Sequence, residues 1–130
     1  MVFAHVSIRT NNMDRSIKFY ETYFGMKLAT KKEIPATNAE IAFLESEGTN
    51  FKLELTWYKS QEKFEQAEYE HRVFDHLAFV IEDMDTIIEK MRANGVTITD
   101  EPFVLSATGS RIAFVEDPDG VLVELIERKK

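Results

Sequence analysis

Four side chains in this sequence could together bind a metal ion. His5 and Glu54 lie in the first half of the chain, and His76 and Glu124 lie in the second half. Two imidazoles and two carboxylates make a mixed nitrogen and oxygen donor set, which suits Zn, Ni, Co, Fe or Mn better than Mg. Without thiolate donors, we expect six-coordination with positions left for water or substrate, and such open positions are typical of a catalytic metal.

An internal duplication gives these four residues equivalent positions. At a shift of 71 residues, HVSIRTNNMDRSIKFY (5–20) lies over HLAFVIEDMDTIIEKM (76–91), and IAFLE (41–45) lies over IAFVE (112–116). At a shift of 70, FKLEL (51–55) lies over VLVEL (121–125), which aligns Glu54 with Glu124. A single strand histidine or glutamate is more often structural or solvated. A mid-strand carboxylate is disfavoured, however, and its repetition beside a repeated histidine favours metal binding.

Each copy has the pattern of a strand, a helix and three more strands. Asn12 and Asp83 are expected to begin the helices, and Gly25 and Gly95 to end them. A strong turn signal, DPDG at 117–120, separates the last two strands. We therefore predict an α+β fold of two tandem βαβββ modules. The chain would form a single domain (1–130), with repeats 1–58 and 74–127 joined by a linker (59–73). The expected strands are 2–10, 26–33, 39–45 and 50–58 in the first copy, and near 96–100, 110–116 and 121–127 in the second.

The alternation of the first strand indicates which face is free for chemistry. Ala4, Val6 and Ile8 are expected to pack on the helix, so His5 and Arg9 should share the opposite face with Glu54. Arg9 has no counterpart in the second copy. It is either a binding site for a substrate anion or the partner of a nearby acid. His71, in the linker, also has no counterpart and is expected to be solvated.

The composition excludes several classes of function. The chain has no cysteine, which excludes disulfides, thiolate metal sites and cysteine nucleophiles. Its net charge of −7 argues against nucleic acid and anionic membrane surfaces as partners. No apolar run reaches the roughly 20 residues that span a membrane. The start, MVFAHVSIRT, does not resemble a leader, so a cytoplasmic protein is expected.

These segments resemble the vicinal oxygen chelate superfamily and, within it, glyoxalase I (lactoylglutathione lyase). The resemblance covers essentially the whole chain and is carried by HVSIRTNNMDRSIKFYETYFGMKL, FKLELT, FDHLAFVIEDMD and RIAFVEDPDGVLVELIE. It implies an open, incomplete barrel around a divalent metal, with His5, Glu54, His76 and Glu124 as ligands. It also implies a homodimer with sites at the subunit interface. Short members similar to this chain often prefer Ni or Co, others use Zn, and Mn or Fe stay open.

The implied reaction converts the hemithioacetal of methylglyoxal and a thiol into a hydroxyacyl thioester. The metal would hold the adjacent substrate oxygens and acidify the carbon-bound proton. By resemblance Glu124 is the base that moves this proton, with Glu54 as its quasi-symmetric counterpart. Arg9 matches a glutathione-contacting arginine.

Three positions depart from the glyoxalase I pattern. Tyr58 stands where an asparagine is usual, Ser106 is nearest to an expected lysine, and Asp75 replaces a glycine. These departures leave glutathione or another thiol open as the co-substrate. Two other readings also stay open. One is a different metal-dependent superfamily member, such as a thiol transferase, an epimerase or a dioxygenase. The other is a binding protein without enzymatic activity.

Overall fold

The computed structural model describes residues 1–61 and 73–130. The chain divides into two compact units, Met1–Glu65 and Gln66–Lys130. This division falls within the segment predicted as a linker, while the prediction for His71 lies outside the described residues. In the described part of the chain, no helix has the length and apolar character needed to cross a membrane.

The first unit is a four-stranded sheet with one long helix. Strand β1 pairs with β4 in parallel, the other neighbours are antiparallel, and the strand order is β1-β4-β3-β2. In chain order the elements are β1 (Val6–Arg9), α1 (Met13–Phe24), β2 (Lys27–Ile34), a short 3-10 helix (Pro35–Thr37), β3 (Ala39–Glu45) and β4 (Lys52–Tyr58).

The second unit repeats this topology. Its sheet has the order β5-β8-β7-β6, again with one parallel pair, between β5 and β8. The predicted α+β fold of two βαβββ modules is therefore confirmed. The elements are β5 (Leu77–Ile81), α2 (Met84–Ala93), β6 (Ile98–Val104), β7 (Arg111–Glu116) and β8 (Leu122–Glu127).

The helix ends follow the predicted signals. The Asn12 side chain accepts a hydrogen bond from the backbone N–H of Arg15, and Asp83 does the same for Thr86. Gly25 ends α1 with φ of 62°, a left-handed conformation that glycine adopts without a Cβ penalty. In each unit the helix packs on one sheet face, which buries alternate residues of the strands. The fully buried side chains include Tyr20, Leu44 and Leu55 in the first unit, and Met84, Met91, Val123 and Leu125 in the second.

The predicted bounds of β1 and β6 differ most from the observed ones. Strand β1 begins only at Val6, and Ala4 is exposed rather than packed on the helix. The predicted strand near 96–100 is β6, which extends to Val104. Its register with β7 shifts between Ile98 and Asp100 and again between Asp100 and Phe103, the stretch that contains Pro102. Proline is tolerated there because β6 is an edge strand, where a missing backbone N–H costs no interior ladder bond.

A set of ionic contacts fixes α2 on its sheet. Glu127 Oε2 accepts a hydrogen bond of 2.6 Å from the backbone N–H of Met84 at the start of the helix. Arg111 bridges Asp85 on the helix and Glu127 on β8. Hydrogen bonding to Arg111 holds the pKa of Asp85 below its usual value. Glu127 thus has a structural role on the helix side of the sheet, unlike Glu124 three residues earlier.

Candidate metal centre

His5 and Glu54 come together on the sheet face that points away from α1. Glu54 lies in the middle of β4, between Leu53 and Leu55, which are buried on the helix side. His5 lies directly before β1. Its Nε2 is 3.6 Å from Glu54 Oε2, and the two side chains are 38% and 16% exposed.

The second unit contains the equivalent pair. His76 lies directly before β5, and Glu124 lies in mid-β8 between buried Val123 and Leu125. His76 Nε2 is 3.1 Å from Glu124 Oε2, with 30% and 16% of the side chains exposed. Both imidazoles therefore present the Nε2 atom to a carboxylate that is shielded from most of the solvent.

The spacing of each pair fits two ligands of one metal ion. Zinc lies about 2.0–2.2 Å from nitrogen and oxygen donors, so two donors at a right angle are about 3.0 Å apart, and at a tetrahedral angle about 3.4 Å. The observed separations, 3.1 Å and 3.6 Å, lie close to these values. The donor set and its spacing thus suit a divalent transition metal.

A phenylalanine orients each imidazole. Phe43 meets the ring of His5 edge-on at a centroid distance of 5.0 Å, and Phe114 meets His76 at 5.5 Å. Each phenylalanine is also the cross-strand neighbour of the glutamate in its pair. Both belong to the repeated IAF segment, so the duplication marks these two positions. No role was assigned to them from the sequence.

In the described part of the chain, hydroxyl groups contact Glu54 but not Glu124. Ser7 Oγ donates to Glu54 Oε1 at 2.8 Å, and Thr56 Oγ1 donates to the same atom at 2.9 Å. The other oxygen, Oε2, is left facing His5. Neither residue was assigned a role from the sequence. The contact of Ser7 depends on the pairing of β1 with β4, while Thr56 lies on the same face of β4 as Glu54, two residues further on.

Within residues 1–61 and 73–130, a carboxylate contacts the Nδ1 atom of His76 but not that of His5. Asp75 Oδ2 lies 2.6 Å from His76 Nδ1, which fits an imidazole that donates from Nδ1 and keeps Nε2 free as a ligand. In the first unit the residue before the histidine is Ala4. The departure of Asp75 from the glyoxalase pattern therefore coincides with a contact that supports His76.

Replacing Asp75 should weaken metal binding without removing it. Loss of an outer hydrogen-bond partner typically costs 10–100-fold in metal affinity, and we expect about 10-fold for Asp75→Ala because this carboxylate is largely exposed. Asp75→Asn, which keeps an acceptor, should lose less. Calorimetric titration with Ni or Zn measures both values. If Asp75→Ala binds the metal as tightly as the unsubstituted protein does, Asp75 makes no contribution to metal binding.

Arg9 shares the face of Glu54 without pairing with an acid. Its guanidinium lies 4.7 Å from the ring centroid of Tyr58, and Nη1 donates to Gln61 Oε1 at 2.8 Å. Within the described residues, no carboxylate forms an ion pair with Arg9. Both interpretations of Arg9, an anion site and the partner of an acid, stay predictions. Tyr58, where an asparagine was expected, supports this arginine.

The donors are grouped as two pairs. His5 lies with Glu54 and His76 lies with Glu124, each within its own unit. Among residues 1–61 and 73–130, no group of three or more His, Asp or Glu side chains is arranged to hold a metal.

Two βαβββ modules, each with a His–Glu pair on its free sheet face, define a vicinal oxygen chelate protein. A family model for the Glyoxalase/Bleomycin resistance protein/Dioxygenase superfamily matches residues 2–125, and the chain belongs to that superfamily.

Its relatives include proteins named as lactoylglutathione lyases. The chain is 40% identical to the lactoylglutathione lyase GLX1 of Arabidopsis thaliana over 97% of its own length, but it spans only 44% of that relative. It is 35% identical to the lactoylglutathione lyase of Haemophilus influenzae, covering 99% of this chain and 94% of that one. The trypanothione-dependent glyoxalase I of Leishmania major matches with a TM-score of 0.82 and 32% identity, covering 98% of this chain and 86% of that one. The predicted resemblance to glyoxalase I is confirmed.

Proposed function

We propose that this protein is a metal-dependent lyase of the glyoxalase I type. It would convert the hemithioacetal of methylglyoxal and a thiol into a hydroxyacyl thioester. The observation that carries the proposal is the repeated His–Glu pair, with the same strand positions and nearly the same donor spacing in both units. The similarity to a lactoylglutathione lyase of nearly equal length supports it.

The two pairs would together bind one divalent metal, with His5, Glu54, His76 and Glu124 as ligands. Two neutral imidazoles and two carboxylates balance the charge of a divalent ion, which makes the desolvated site electrostatically acceptable. Within residues 1–61 and 73–130 each unit supplies one His–Glu pair, and the four-ligand set implied by the resemblance would use both pairs. Ni, Co and Zn suit this donor set, as do Mn and Fe.

Glu124 would move the proton in the reaction. When bound, the metal supplies Lewis-acid polarisation of the substrate oxygens. The Glu124 carboxylate takes the proton from the carbon that bears sulfur and returns it to the adjacent carbon, so the product is an isomer of the hemithioacetal. Among the described residues, His76 is the one polar partner of the Glu124 side chain, so few polar contacts would have to break for it to move. Its low exposure keeps water from competing for the proton.

Arg9 would bind a carboxylate of the thiol. Its guanidinium is held in place by Tyr58 and Gln61, while its charge is not neutralised by a described acid. Glutathione carries such carboxylates. Relatives differ in their thiol, since the Leishmania major enzyme is described as trypanothione-dependent. We propose a thiol with a free carboxylate and leave glutathione as the first candidate.

We also propose that the two units form one domain and that the active form is a homodimer with sites at its interface. The family resemblance supports both statements. A cytoplasmic location stays a prediction.

The decisive experiment is a thioester-formation assay. The protein is stripped with a chelator, reloaded with Ni, Co or Zn, and given methylglyoxal with glutathione, trypanothione or a thiol that lacks carboxylates. We expect activity with at least one metal, loss of activity on chelation, and a preference for the carboxylate-bearing thiols. Arg9→Gln should reduce that preference. If no combination of metal and thiol yields a thioester, the lyase proposal is wrong.

A further inference from the structure

The two glutamates of the repeated pairs differ in how they are held. Glu54 Oε1 accepts hydrogen bonds from Ser7 and Thr56, at 2.8 Å and 2.9 Å. The two hydroxyls also lie 2.9 Å from each other. Each hydroxyl has one proton, so when both donate to Oε1 their mutual approach is a contact and not a third hydrogen bond. The two donated bonds hold the rotamer of Glu54 and leave Oε2 facing His5.

The second unit lacks both hydroxyls at the same positions. Ser7 is the β1 neighbour of Glu54, and Ala78 is the β5 neighbour of Glu124. Thr56 follows Glu54 by two residues, and Ile126 follows Glu124 in the same way. Methyl groups at these positions cannot donate a hydrogen bond, so in the described residues Glu124 has His76 as its sole polar partner.

We propose that Ser7 and Thr56 are positioning residues that hold Glu54 as a fixed metal ligand, so that Glu124 is the glutamate that can leave the metal. This inference rests on the proposed function. Its basis is the register of the two sheets, which places a hydroxyl or a methyl group beside otherwise equivalent carboxylates.

Hydrogen bonds explain why Glu54 is expected to be the fixed glutamate and Glu124 the mobile one. Bonds to a carboxylate are charge-assisted and stronger than neutral ones. A movement of Glu54 away from its position would break two of them. Counting the described residues alone, a movement of Glu124 would break its contact with His76 and no other polar contact. Ser7 is exposed and water can replace part of its bond, while Thr56 is buried. Thr56 therefore contributes the larger share.

The repeat offers a reciprocal experiment. The first protein, Ser7→Ala with Thr56→Val, removes both hydroxyls from Glu54 and keeps the shape of the threonine. The second, Ala78→Ser with Ile126→Thr, installs both hydroxyls beside Glu124 at the same register. Each is compared with its single substitutions. Calorimetric titration with Ni gives the metal affinity, and the thioester assay at saturating metal gives kcat and KM separately.

The two double variants are expected to differ in which quantity changes, the metal affinity or kcat. Removing the hydroxyls should weaken metal affinity by about 10-fold, the range seen for outer-shell partners, and leave kcat at saturating metal nearly unchanged. Installing them should keep or tighten metal affinity and lower kcat by about 10-fold with little change in KM, because Glu124 then has to break two charge-assisted bonds.

The two double variants test separate parts of the proposal. Unchanged metal affinity in the first protein, with its circular dichroism intact, overturns the positioning of Glu54. Unchanged kcat in the second overturns the mobility of Glu124. If the double substitution at 7 and 56 fails to fold, Ser7→Ala and the second protein still give both readouts, since positions 7 and 78 are exposed. The affinity measurements need no turnover. A protein whose affinities shift as expected but which forms no thioester therefore refutes the proposed lyase and not the positioning.

Discussion

Glu124→Gln is expected to lower kcat at saturating metal by about 100- to 10,000-fold, the usual contribution of a positioned general base. The amide has nearly the shape of the carboxylate and can still contact His76, but it cannot accept the substrate proton. Metal affinity should only weaken, because three of the four proposed ligands stay unchanged. Thioester formation measures the first effect, and calorimetric titration measures the second.

Two other substitutions serve as comparisons for Glu124→Gln. Glu54→Gln removes a carboxylate that two hydroxyls hold in place, so it should weaken metal binding and lower kcat less than Glu124→Gln does. Glu101→Gln changes an exposed glutamate that pairs with Arg92 on the helix side, and it should behave like the unsubstituted protein. If Glu124→Gln keeps turnover close to the original value, Glu124 is not the base.

Much of the fold was readable from the sequence, because capping residues and strand alternation are local signals. Asn12, Gly25 and Asp83 define helix ends through interactions within a few residues, and all three behave as predicted. The first strand was predicted too long. Its alternation continues before Val6, but the backbone pairs with β4 only from Val6 onward. Pairing depends on the partner strand, which local periodicity does not describe.

The same distinction applies to the candidate centre. The duplication identified His5, Glu54, His76 and Glu124, because identical residues at equivalent positions are visible without a structure. It gave no sign of Ser7 or Thr56, since neither residue is repeated. Ser7 also reaches Glu54 from the neighbouring strand β1, whereas Thr56 lies two residues further along β4. Asp75 was visible as a departure from the family, but its contact with His76 was not. A repeat identifies residues that are the same in both copies. It does not show the role of residues that differ between the copies, such as Ser7, Thr56 and Asp75.

Replacing either repeated histidine is expected to abolish metal binding by the whole protein. If both pairs bind one ion, the unsubstituted protein holds one metal per chain. His5→Ala or His76→Ala should then each lose far more than the roughly 100-fold that removal of an outer partner costs. Two independent sites would give a different result, with two metals per chain and one of them retained in each variant. Calorimetric stoichiometry after chelation and reloading distinguishes these cases.

The third histidine of the chain supplies the control for this measurement. His71 has no counterpart in the repeat, so His71→Ala should keep both the stoichiometry and the affinity of the unsubstituted protein. Combining His5→Ala with His76→Ala tests the shared site further. For one ion the double variant behaves like either single variant, because each already lacks the complete donor set. A loss of metal in His71→Ala as large as in the other two variants would refute the four-ligand assignment. Metal binding would then depend on a histidine that has no counterpart in the repeat.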